Sequence, residues 1–128
     1  MDIQEKDEET YTLIGVAMKV HSELGCGFLE AVYKDAFEIE LRNQGILYER
    51  EKHLDVFYCE EKLKSFYIAD FVCYNSIIVE AKAVQQLARH DEAQLLNYLK
   101  ATGCKRGLLF NFARPSLEHK RMVLKYGY

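Results

Sequence analysis

Residues 66 to 84, FYIADFVCYNSIIVEAKAV, constrain the fold more than any other stretch of this chain. Two apolar runs flank a short polar turn at Asn75 and Ser76. β-branched and aromatic residues fill both runs, so both read as strands. Strict alternation puts Tyr67, Phe71 and Cys73 on one face and Phe66, Ile68 and Val72 on the other. A strand apolar on both faces belongs in the middle of a covered sheet. Yet Asp70 interrupts the first run, and Glu80 and Lys82 interrupt the second. Residues two apart in a strand share a face, roughly 6.6 Å apart. Burying such groups is costly unless they are paired or bind an ion. The stretch is therefore either an ion-pair network or a site. Two carboxylates against one lysine leave surplus negative charge, which a hard divalent cation neutralises.

The chain has 128 residues, enough for one domain with one core. Residues 1 to 9 form a charged lead-in, expected to fray. A net charge of −3 excludes a strongly basic nucleic-acid coat, though not a locally basic cleft. No apolar run approaches 18 residues, so no transmembrane helix is expected. The N-terminal MDIQEKDEE does not resemble a signal peptide. Cysteines at 26, 59, 73 and 104 are too scattered for a zinc knuckle. A reduced, cytoplasmic protein is the expectation.

Helical spacing of Leu13, Val16, Ala17, Val20 and Leu24 predicts a helix from about Glu9 to Leu24. His21, near its end, suits the helix dipole. Gly25 and Gly27 break the chain. A second helix is expected from Phe28 to about Asn43, with Leu29, Val32, Tyr33, Ala36, Phe37 and Leu41 on one face and Gly45 as the stop. Residues 46 to 51 read as a connector or strand, 53 to 58 as a strand, and 60 to 64 as a charged turn. The strands carrying Asp70 and Glu80 complete an antiparallel meander. A third helix, opened by Asp91 and closed by Gly103, precedes the strand GLLFNF and a half-exposed final strand over 118 to 126.

Asp70, followed after nine residues by Glu80-x-Lys82, resembles the signature of the PD-(D/E)XK nuclease superfamily. Gln94 and Tyr98 form Q-x-x-x-Y on the next helix, similar to an additional motif of RecB-like members. Gly27, Glu30 and Tyr33 give G-x-x-E-x-x-Y, which resembles the prokaryotic GxxExxY family, with similarity running almost the full length. These resemblances imply an α/β fold of restriction-endonuclease-like type: a mixed sheet with flanking helices in the order α-α-β-β-β-α-β-β. They imply Asp70, Glu80 and the Ala81 backbone carbonyl as ligands of Mg²⁺, with Mn²⁺ as a substitute. Lys82 would orient the attacking water. Glu30, Gln94 and Tyr98 would complete the catalytic set. The implied activity is phosphodiester hydrolysis on nucleic acid, DNA before RNA.

Two other readings compete. One is a catalytically silent nucleic-acid- or protein-binding module on the same fold. The other is a structural protein in which Asp70, Glu80 and Lys82 close on one another. Arg89, His90, Arg106, Arg114, Lys120 and Arg121 could follow a phosphate backbone, or simply form a solvated face. A homodimer is expected, because the final strand offers a sheet edge and twofold assemblies are the commonest. A geometric condition separates site from accident. A two-residue turn at Asn75 and Ser76 would pair Asp70 with Ala81 and send Glu80 to the opposite face. A metal site therefore requires an odd-numbered loop or a bulge between the two acids.

Overall fold

A computed structural model describes residues 7–125 of the chain. Its elements are α1 (Glu8–Leu24), α2 (Glu30–Asn43), β1 (Tyr48–Tyr58), β2 (Glu61–Cys73), β3 (Ile77–Lys82), α3 (Arg89–Thr102), β4 (Arg106–Asn111) and β5 (Glu118–Val123). The five strands form one sheet in sequential order, with β3 and β4 parallel and all other neighbours antiparallel. The single parallel pair requires a crossover, and α3 supplies it. This is the expected mixed α/β architecture.

Helices cover both faces. Leu13, Val16 and Val20 of α1 and Tyr33, Phe37 and Leu41 of α2 pack on Phe71, Cys73, Val79 and Phe110. Leu95, Tyr98 and Leu99 of α3 pack on Ala69, Val72, Ile78 and Leu109. That contact is close. A Cβ on Gly107 of β4 would lie 2.9 Å from the Leu95 side chain.

Four details depart from the sequence expectation. The helix α2 begins at Glu30 rather than Phe28, and Leu29 (78% exposed) and Val32 lie outside the core. Gly27, at φ +113°, delays the turn into the helix. Strand β1 is continuous from Tyr48. The charged turn shrinks to Cys59 and Glu60, both with positive φ as a tight two-residue hairpin needs. The hairpin therefore projects past the helices. Its outer half is not covered: Phe66, Tyr67 and Ile68 are all exposed, so the double burial argued for this run begins only at Ala69.

The first six residues of the expected lead-in lie outside the described residues, while Asp7 to Glu9 open α1. Asp7 caps α1, accepting from the Thr10 N–H and hydroxyl. It also accepts from Arg106 on β4 at 2.6 Å and Arg121 on β5 at 2.7 Å. Two of the candidate phosphate-binding arginines are thus committed to holding a helix on the sheet.

Candidate active site

The turn between β2 and β3 has three residues, Tyr74, Asn75 and Ser76, the first two at φ +56°. Cys73 pairs with Ile77, Val72 with Ile78 and Phe71 with Val79. One step further in this register, Asp70 stands opposite Glu80. The odd loop that a shared site requires is present.

The ladder stops at that step. On the other side of β2, Arg50 pairs with Phe71 and Lys52 with Ala69, but Glu51 and Asp70 do not pair, and Glu51 has φ +51°. The face alternation inverts across the break. Phe71 and Cys73 face α1 and α2, whereas Ala69 joins the α3 cluster and Tyr67 stacks on Tyr98 at 5.0 Å. Continuous alternation would have kept Tyr67, Phe71 and Cys73 together, as the sequence suggested. The kink frees the backbone of Asp70 from its neighbours. Its N–H donates to Glu80 Oε2 at 2.7 Å, and its own Oδ2 accepts from the Ala81 N–H at 2.8 Å. In an extended strand a residue's N–H and C=O lie on the same edge. The Ala81 carbonyl is therefore directed to the Asp70 side.

Three helical side chains reach this break. Lys34, from α2, lies 2.9 Å from Asp70 Oδ1 and 3.0 Å from Glu30 Oε2. Glu30 thus meets the carboxyl pair through Lys34 rather than directly. From α3, Gln94 Oε1 accepts from Lys82 Nζ at 3.2 Å. Tyr98, four residues on, is buried below it. At this spacing both side chains leave one face of α3, Gln94 meeting Lys82 on β3 and Tyr98 meeting Tyr67 on β2.

The charges are unbalanced. Asp70, Glu80 and Glu30 face Lys34 and Lys82. Glu80 is only 3% exposed. Burial, and then the Asp70 charge, push its pKa up to about 8, against the Asp70 N–H and the two lysines. Burial and the same two carboxylates lift the Tyr98 hydroxyl to about 12, so it stays a donor. For Lys34, burial opposes the charge, but hydrogen bonds to Asp70 and Glu30 outweigh it and raise the pKa.

The surroundings explain two other motif residues. The Tyr33 hydroxyl donates to the Gly25 carbonyl at 2.6 Å and accepts from the Phe28 N–H. In G-x-x-E-x-x-Y the glycine opens the turn, the tyrosine ties it down, and the glutamate starts the helix toward Asp70. His21, at the end of α1, contacts the Arg114 carbonyl through Nε2 and plays no part at the break. Arg114 donates to the Gln85 carbonyl, and Lys120 pairs with Glu92. Asn111, fully buried, bonds the Val84 N–H and C=O, the Ala113 N–H and Glu118. Glu118 also accepts from Leu87. This clamp fixes the loop that leads from Lys82 to Gln94.

The observation that decides the family is the match of its profile over residues 7–122, described as the PD-(D/E)XK nuclease superfamily. The chain belongs to the PD-(D/E)XK nuclease superfamily. Its fold also resembles the solved structure titled "Crystal structure of SSO0001", with a TM-score of 0.60 and 18% identity over 73% of this chain. The match spans 48% of that chain, about half its length. The chain matches no curated protein.

Members of this superfamily generally depend on divalent metals. Among the described residues, no three His, Cys, Asp or Glu side chains converge. Asp70, Glu80 and the Ala81 carbonyl nonetheless offer hard oxygen donors, and once Glu80 gives up its proton the two carboxylates carry negative charge for a cation. That chemistry suits Mg²⁺, which takes one or two carboxylates and keeps several waters. Lys34 and Asn111 are the residues that sequence reasoning missed. The i, i+4 spacing of Glu30 and Lys34 announced their pairing, but nothing local announced Asp70 as the third member.

Proposed function

We propose that the protein is a divalent-metal-dependent nuclease acting at the β2–β3 break, on DNA before RNA, with Mg²⁺ or Mn²⁺. The observation that carries this reading is the placement of Asp70 opposite Glu80, with Ala81 and Lys82 following on β3, where the ladder opens. Asp70, Glu80 and the Ala81 carbonyl would hold the ion. Bound there, it would neutralise charge developing on phosphate oxygens and acidify a water. Lys82, steadied by Gln94, orients that water. Glu30 holds Lys34 at the mouth of the site. Tyr98 supplies a neutral hydroxyl beneath the carboxylates. Resemblance to GxxExxY proteins, through Gly27, Glu30 and Tyr33, supports the assignment. The working unit would be a homodimer of one nuclease-like domain.

Supercoiled plasmid, linear duplex and single-stranded RNA, each incubated with Mg²⁺ or Mn²⁺, test the reading. Wild type should nick or cut DNA, and Lys82→Ala should not. One observation favours a second reading, a silent binding module: the Lys34 ammonium already sits on Asp70. No cleavage of any nucleic acid, with retained binding to DNA, would establish that module instead.

A further inference from the structure

Both carboxylate oxygens of Asp70 accept from groups of the chain itself. Oδ2 takes the Ala81 N–H at 2.8 Å, and Oδ1 takes Lys34 at 2.9 Å. Lys34 is also anchored one helical turn back, to Glu30 at 3.0 Å. Its side chain is 18% exposed, while that of Glu30 is 42% exposed. The ammonium is therefore held in the mouth of the break between an inner acid and an outer one. An ion using Asp70 sits beside this ammonium, whether it shares Oδ1 with it or takes the second lone pair of Oδ2. Two cations so close to one carboxylate repel each other.

We infer that Lys34 is a tethered counter-cation that competes with the metal for Asp70 and moves to Glu30 when the ion binds. It is a positioning residue, setting metal affinity rather than touching the reacting atoms. Glu30 is its receiving site. The geometry suits the move, because Lys34 needs only to surrender one of two contacts it already makes. This inference rests on the metal-site reading above.

Calorimetric titration of the full chain with Mn²⁺ or Mg²⁺ tests it, comparing wild type with Lys34→Met and Lys34→Arg. Lys34→Met should bind about tenfold tighter, the scale of one lost charge-assisted contact. Its metal-free melting temperature should fall, and its metal-induced rise should exceed that of wild type. Lys34→Arg keeps the charge and should return affinity to within about threefold of wild type. Glu30→Gln removes the receiving acid, so it should weaken metal binding and serves if Lys34→Met does not fold. A merely structural Lys34 would lower the melting temperature and leave affinity unchanged. Equal affinity in wild type and Lys34→Met, or weaker binding in the latter, overturns the competition and leaves the metal site standing. Absence of binding in every protein overturns both.

Discussion

At the scale of single residues, Glu80 sets the pH behaviour of the site. Its pKa is about 8 in the folded chain, against an ordinary 4.5. Between those values the folded state holds a proton that the unfolded state has lost. The stability this confers is complete below about pH 4.5 and is lost as pH rises through 8. Melting of metal-free protein should fall across this window, and Glu80→Gln should flatten the slope. Because the proton must leave for Glu80 to ligate, metal binding near pH 7 should release a proton and tighten with pH. Proton uptake or no buffer-dependent heat in calorimetry would contradict this. Lys82 behaves differently. It is partly exposed and, among the described residues, its hydrogen bond is to Gln94, while Lys34 remains to offset Asp70. Lys82→Ala should cost less than about 1 kcal/mol of stability. If Lys82 works on the water, the same change should remove cleavage. Asp70, Glu80 and Lys82 were legible because charged residues stand out in an apolar run. Lys34 was not, since a lysine on an amphipathic helix normally reads as solvent-facing. Only the placement of α2 over the β2 kink gives it a second acid.

At the scale of elements, most boundaries followed from local chemistry: Gly25 and Gly103 end helices, and Asp91 accepts from the Ala88 N–H to start α3. The kink at Asp70 was illegible, because it coincides with Glu51 at positive φ on the neighbouring strand and leaves the composition of β2 unchanged. The same holds for α1, whose attachment depends on partners about a hundred residues away. The Asp7 side chain is almost fully buried between Arg106 and Arg121. Burial opposes its charge, but the Thr10 and Arg121 hydrogen bonds prevail and hold the pKa at about 2. Its contribution is therefore present above the ordinary value of 3.8 and is lost as pH falls towards 2. Asp7→Ala removes a cap and leaves two arginines short of a partner. The expected loss is about 3 kcal/mol at pH 7, combining the cap and the charge-assisted bonds. Urea unfolding at pH 7 and again near pH 2 should show that loss shrinking with acidity. An undiminished loss at low pH would mean that packing, and not the carboxylate, anchors α1.

For the whole molecule, the proposed homodimer has to be assigned a surface. The final strand was expected to offer the edge. In the fold, Lys120 of β5 pairs with Glu92 and Arg121 with Asp7, so that strand is already tied inward. The projecting β1–β2 hairpin is a better surface. Phe66 and Ile68 stand opposite Asp55 and His53 on one face, with His53 stacked on Phe66 at 4.2 Å. Each of Phe66 and Ile68 is 49% exposed, and Phe57, Tyr58 and Leu63 extend the apolar surface towards the tip. A patch of this kind on a small chain marks an interaction surface. Two hairpins packed by this face around a twofold axis would bury Phe66 and Ile68 against their own copies. A stable pair needs roughly 800 Å² per partner. Light scattering at several micromolar should therefore give twice the 15.0 kDa chain mass, and Phe66→Lys with Ile68→Lys should return it to one. Replacement on the other edge, Lys120→Glu, should leave the mass at two. Ile68 lies only two residues from Asp70 and Phe66 four, so the single Phe66→Lys variant separates the two effects better: a monomer that binds metal normally but cuts duplex poorly would assign the hairpin to gripping substrate through the dimer. A wild-type mass of one chain would remove the interface, and Phe66 and Ile68 would then have to be covered by some other partner.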